Sequence, residues 1–215
     1  MMNRQFYSRA VALLILLGFP LGFFFYYKQK IDALPHQAKT VQTFWNTPYF
    51  KYQTQNGDSL SADDLKGFIY VADFIYTNCG SMCPNLSKTM SDIETNFTDN
   101  QKLKLVSFSV DPERDSVPAL KQYAARFGAR DGKWYFLRGQ KDSVLRMAEE
   151  GFKLPVVAND HPMAGDEFAH SERIVLVDAN GMIRGFYNGF EKDRVDSLNN
   201  NIAKLLVELQ GTLPL

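Results

Sequence analysis

Two cysteines in 215 residues leave no material for a disulfide framework, so any thiol chemistry is confined to that one pair. An excess of charge of one sign is also missing. Lys and Arg together number 24, Asp and Glu together number 24, and no basic cluster is interleaved with aromatics, which argues against nucleic acid as a partner. The chain has no internal repeats and no low-complexity tracts. Histidine is scarce: only His36, His161 and His170 can supply an imidazole. With 45% hydrophobic and 22% charged residues, the composition fits one anchored globular domain.

After a short head, residues 1–9, comes Ala10 to Tyr27, an uncharged and mostly apolar run. As a helix it would span roughly 27 Å, enough for the hydrocarbon core of a bilayer. No small-x-small cleavage site follows before Lys28-Gln29-Lys30, so the run reads as an uncleaved transmembrane anchor rather than a signal peptide. Arg4 and Arg9 on one side face Lys28 and Lys30 on the other, a weak orientation bias. The head is too short and too poor in Arg and Ser for an organelle presequence. The expectation is a single-pass protein of the bacterial inner membrane with its soluble domain on the periplasmic or outer side. Residues 28–43 read as a tether and 44–215 as the domain.

Periodicity predicts alternating strands and helices in that domain. Tyr49 to Gln55 reads as a strand ended by the Asn56-Gly57 turn, Phe68 to Tyr76 as a buried strand, and Asn85 to Phe97 as a helix. Leu103 to Val110 (strand), Ser116 to Phe127 (helix), Trp134 to Leu137 (strand) and Asp142 to Glu150 (helix) follow. Beyond an irregular segment, Lys153 to Ser171, a hairpin of Arg173 to Val177 and Met182 to Tyr187 precedes a closing helix, Lys192 to Leu209. The order implies an α/β sandwich.

Both cysteines fall at the junction between the buried strand and the first helix, in Asp73-Phe74-Ile75-Tyr76-Thr77-Asn78-Cys79-Gly80-Ser81-Met82-Cys83-Pro84. Pro84 suits the first position of a helix, which puts Cys83 at or near the cap, where free N–H groups and the helix dipole favour a thiolate. A spacing of four places the α-carbons roughly 6 Å apart, compatible with a disulfide or with shared metal ligation. Two soft thiolates suit Cu(I) or Zn(II) far better than Mg or Ca.

Among the histidines, position favours His170, three residues before a buried strand, as a third soft ligand for copper. A histidine capping the strand end by hydrogen bonding is the competing reading. Met82, between the cysteines, reads as packing rather than ligation. Asp111 and Asp115 follow the second strand and so share an end of the sheet with the cysteines; Asp115 reads as a cap for the next helix. Asp73 interrupts a buried strand, where burial raises its pKa unless it is paired. It is either a proton acceptor for thiol chemistry or half of a salt bridge at the sheet margin.

Taken together, three pieces resemble the Sco (SenC) family over roughly Tyr49 to Leu209. Phe74 through Pro84 looks like the family's Cys-x-x-x-Cys-Pro motif, Ser109-Val110-Asp111-Pro112-Glu113-Arg114-Asp115 like its Asp-Pro-x-x-Asp segment, and Phe168-Ala169-His170-Ser171 running into Ile174-Val175-Leu176-Val177-Asp178 like its histidine motif. The resemblance implies a thioredoxin-like fold, a central mixed sheet flanked by helices, with copper as Cu(I) or Cu(II) held by Cys79, Cys83 and His170. It implies that Asp111 and Asp115 shape the site or its docking face. Gly80 departs from the proline that many members carry after the first cysteine, which would loosen the loop. The segment Asn159 to Glu167, with His161 and Met163, has no placed counterpart and is a candidate lid or source of another ligand.

The expected function is a membrane-anchored copper chaperone assisting assembly of the dinuclear copper centre of cytochrome c oxidase. Its implied partners are the copper-bearing oxidase subunit and a thioredoxin-like reductant. The alternative is a thiol-disulfide oxidoreductase acting through Cys79 and Cys83 to keep target cysteines reduced. His170 discriminates, since copper needs it and dithiol exchange does not. A thiol peroxidase ranks last, because the proline and threonine spacing of peroxiredoxins before the cysteine is missing.

Overall fold

The computed structural model describes residues 41–80, 82–154, 157–158, 168–169 and 172–212, together with Pro20, Phe23, Phe24 and Tyr26, which are helical and exposed. The expected anchor and tether, and all three histidines, otherwise lie outside the described residues. Among the described residues no helix is long and apolar enough to cross a membrane.

Val41–Leu215 form one compact unit. Its strands are β1 (Lys51–Thr54), β2 (Ser59–Ser61), β3 (Ile69–Ile75), β4 (Leu103–Ser109), β5 (Trp134–Arg138), β8 (Arg173–Val177) and β9 (Ile183–Asn188), with β6 (Val157–Ala158) and β7 (Phe168–Ala169) forming a separate pair. The helices are α1 (Met82–Asn96), α2 (Val117–Arg126), α3 (Lys141–Arg146) and α4 (Lys192–Thr212). Seven strands make one mixed sheet in the order β2-β1-β5-β4-β3-β8-β9. β3, β4 and β5 run parallel, so their carboxyl ends share one edge. That is the edge where the loops of an α/β sheet gather functional groups.

The helix expected over Asp142 to Glu150 divides: α3 ends at Arg146 and a π-helical turn, Met147–Gly151, continues it. Such wide turns let a helix absorb an extra residue without breaking its packing. Here the turn delivers Phe152, fully buried, to a cluster in which Phe74 stacks on Phe108 at 5.2 Å and Phe50 meets Phe108 edge-on at 5.1 Å. Phe152 closes the cluster against Phe74 at 5.5 Å. These rings fill one face of β3 and β4 directly below the junction that carries the cysteines.

Alternation along the strand sends Asp73 and Ile75 to the opposite face. There Asp73 pairs in register with Ser107 and Ile75 with Ser109. Leu86, Met90 and Ile93 of α1 and Leu120 and Tyr123 of α2 are buried over the same sheet. The expected binary pattern therefore holds, with one polar intrusion at Asp73.

Candidate metal and dithiol site

The dithiol is built by the end of β3 and the start of α1. Cys79 is turned back toward the strand by a hydrogen bond from its N–H to the Tyr76 carbonyl at 3.3 Å. α1 begins at Met82, so Cys83 sits inside the first turn rather than at the cap, and Pro84 one position further in. The N–H of Cys83 donates to Cys79 Sγ at 3.3 Å. Both cysteines are buried thiols outside any disulfide, with Cys79 at 7% and Cys83 at 3% exposure.

This geometry separates the two sulfurs chemically. The free N–H of the first helical turn serves Cys79, not Cys83. The hydrogen bond with Cys79 and then burial push the Cys83 thiol far up, reinforced by the charges of Cys79 and Asp73 and opposed by a backbone hydrogen bond with Tyr76. The expected thiolate at Cys83 is thus corrected. A helix terminus can stabilise only the anion its donors reach, and here the donor reaches the neighbouring sulfur.

Beside the dithiol, Asp115 accepts from Thr77 N at 3.1 Å, Thr77 Oγ1 at 2.6 Å and Ser109 Oγ at 2.5 Å. It does not cap α2; Ser116 does, its hydroxyl accepting from Ala119 N at 3.4 Å. Asp115 instead locks the strand-to-cysteine loop to the end of β4. Burial nevertheless raises its pKa, with the hydroxyls of Ser109 and Thr77 pulling it back. Asp111, 2% exposed, faces Arg114 Nε at 2.9 Å.

Asp73 is a different case. It is fully buried in an interior strand and neither carboxylate oxygen has a hydrogen-bond partner, so no sheet-margin salt bridge forms. Burial pushes its pKa up to about 7, with the neighbouring Ser107 hydroxyl offsetting part of the rise. That hydroxyl accepts from Trp134 Nε1 at 2.9 Å, which leaves its own O–H turned to other acceptors. Asp73 also raises the pKa values of Cys83 and Tyr123, which places the three groups within electrostatic reach of one another.

Met82 packs against the core. Gly80 does not need to be glycine, since an added Cβ would meet nothing within 4 Å and its φ lies outside the left-handed region. His170, His161 and Met163 lie outside the described residues, and among the described residues no three metal-ligating carboxylate, imidazole or thiol groups converge. Thr77, Ser109 and Ser87 went unremarked as single residues in the sequence. Thr77 and Ser109 lie inside the recognised motifs, but hydroxyl direction is not a sequence property. Ser87 meets the Tyr123 hydroxyl at 3.0 Å beneath Cys83.

Comparison with known proteins places these residues in context. The family model described as SCO1/SenC matches residues 38–206. The chain is 34% identical over 155 residues to the SCO1 protein homolog of Bacillus subtilis, covering 71% of this chain and 79% of that one. The solved structure of BsSco, a member of the Sco family of cytochrome c oxidase assembly proteins in which a disulfide switch was identified, superposes with a TM-score of 0.69 at 30% identity, covering 79% of this chain and 98% of that one. The ScoI protein of Bradyrhizobium japonicum, solved with copper bound, has a TM-score of 0.62 at 23% identity, covers 74% of this chain and 99% of that one, and shares the fold.

Proposed function

The chain belongs to the SCO1/SenC family, and from that premise we propose that it is a copper chaperone that carries copper on Cys79, Cys83 and His170 toward the dinuclear copper centre of cytochrome c oxidase. The observation that carries the reading is the pair of buried, non-disulfide cysteines on one turn, with Cys83 N–H on Cys79 Sγ. Two soft sulfurs on one turn in an apolar setting are the donor set that suits Cu(I). Loading two thiols with Cu(I) releases two protons, so uptake is favoured by rising pH and demands the reduced pair. The apolar run Ala10 to Tyr27 would tether the carrier to the bacterial inner membrane, with the copper-bearing oxidase subunit as recipient.

The test is an anaerobic Cu(I) titration of the reduced chain against a competing chelator, with His170→Ala and Cys79→Ser beside wild type. One tight copper per chain, weakened by His170→Ala and abolished by Cys79→Ser, is the expected result. Binding indifferent to both substitutions would overturn the reading.

Asp73 favours a second activity on the same pair, reduction of a target disulfide. Cys79 attacks the target and forms a mixed disulfide; Cys83 then attacks Cys79 and releases the target as a dithiol, leaving Cys79–Cys83 oxidised. Two electrons pass to the target, and a thioredoxin-like reductant returns them. Cys83 must lose a proton that its surroundings hold tightly, and Asp73, buried, raised to about 7 and within electrostatic reach of Cys83, is the acceptor this reading assigns. An Asp73→Asn chain whose pH profile for thiol oxidation matched wild type would remove Asp73 from that step.

A further inference from the structure

Building on the copper-carrier reading, we propose that an open groove along α2 is the docking surface for an acidic, extended segment of the protein that receives the cargo. The groove has a volume of about 590 Å³ and is lined by Thr77, Ala119, Gln122, Tyr123, Ala125 and Arg126. It starts two residues ahead of Cys79, at the threonine whose N–H and hydroxyl are both held by Asp115. Its other fixed point is Tyr123, whose hydroxyl meets Ser87, one helical turn past Cys83. A segment lying in the groove therefore touches residues tied to the loop and the helix that carry the two cysteines, through contacts that do not involve the metal.

The lining selects the occupant. Ala119 and Ala125 contribute only methyl groups, which leaves room for a main chain, while the Gln122 amide offers hydrogen-bonding groups to it. From Ser116 to Ala129 the chain carries Lys121 and Arg126 and no acidic residue. The next cation, Arg130, is committed to Glu94 at 3.1 Å. Lys121 and Arg126 have no ion-pair partner among the described residues, and Arg126 is set over the Phe127 ring at 5.5 Å. At the dithiol edge Asp111 is already balanced by Arg114. The open charge next to the groove is thus positive, and it steers and orients an acidic partner rather than a basic one.

The experiment uses the full chain loaded with Cu(I) and, as probe, the purified copper-free copper-binding domain of the oxidase subunit. Wild type is compared with the double substitution Lys121→Glu/Arg126→Glu and with Ala125→Trp, an exposed position that fills the groove without entering the core. The charge-reversed chain is expected to transfer copper about tenfold more slowly and to lose the slowing by salt that wild type shows. Ala125→Trp is expected to slow transfer at every salt concentration. Cu(I) affinity by chelator competition and the urea midpoint should not move in either variant. Unchanged transfer rates and salt slopes overturn the proposal, as does light scattering in which Ala125→Trp alters self-association instead, since the groove would then be a contact between copies. Calorimetric association of the copper-free chain with the same probe separates the two readings: if wild type binds the probe but carries no Cu(I), the carrier reading falls, and loss of binding on charge reversal still upholds the groove.

Discussion

Two carboxylates flank the dithiol, each fully buried, and they have opposite surroundings. Around Asp115, at the turn after β4, three donors from Thr77 and Ser109 converge. Around Asp73, in the middle of β3, there is no hydrogen-bond partner for either oxygen. Burial penalises charge in both regions, but only the first returns the lost solvation as hydrogen bonds. The turn is therefore a strut that fixes where Cys79 begins, and the strand interior holds a carboxyl whose protonated form burial favours. Side-chain type and depth do not distinguish them; the donors do.

The sharpest way to break that contrast is Asp73→Asn. The carboxyl of Asp73 rises from the ordinary 3.8 to about 7 in the fold. A carboxyl with a raised folded pKa binds more protons in the native state, so its contribution is intact below the unfolded pKa and is lost as pH climbs to the folded value. Wild type should lose roughly 4 kcal/mol of stability from this group between pH 4 and 7, while the isosteric variant lacks that component and keeps only the pH dependence of its other groups, Asp115 among them. Urea midpoints across pH 4 to 8.5 read the difference, and parallel curves would dissolve the distinction between the two carboxylates.

Next in size, Asp115→Ala should cost about 3 kcal/mol at neutral pH by leaving three donors of Thr77 and Ser109 unpaired. Unlike the Asp73 substitution it should also weaken Cu(I) binding, because the loop ahead of Cys79 is released. A large loss of stability with unchanged copper affinity would confine Asp115 to folding. Tyr123→Phe removes the 3.0 Å contact with Ser87 and should cost about 1 kcal/mol in the same denaturation assay. The smallest change is Gly80→Ala, which should raise the urea midpoint by the equivalent of about 0.5 kcal/mol, since the position is open and unstrained. A destabilised Gly80→Ala chain would mean that the loop needs its freedom.

Much of this is legible in the sequence. The strand read over Phe68 to Tyr76 is β3, and the helix read over Asn85 to Phe97 is the body of α1, because both announce themselves by local periodicity. Element ends were less legible. Met82 opens α1 ahead of Pro84, a shift of two residues that moves Cys83 from the cap into the first turn and hands its N–H to Cys79. Asp115 was misread as a cap because Asp and Ser are both good caps; Ser116 took the role and freed Asp115 for Thr77, 38 positions away.

The amino-acid order alone determined that two cysteines stand at a strand-to-helix junction, that Asp73 enters an otherwise apolar strand, and that the architecture alternates strand and helix. Each of these is written within a window of a dozen residues, over which backbone geometry and side-chain period are enough. The tertiary structure decided which sulfur receives the helical N–H, which carboxylate is surrounded by donors, and that a groove along α2 opens at Thr77, two residues ahead of Cys79. Those outcomes depend on the parallel register of β3 with β4 and on the seating of α1 and α2 over one face. The contacts that settle them join residues far apart in the chain, and no local pattern specifies their directions.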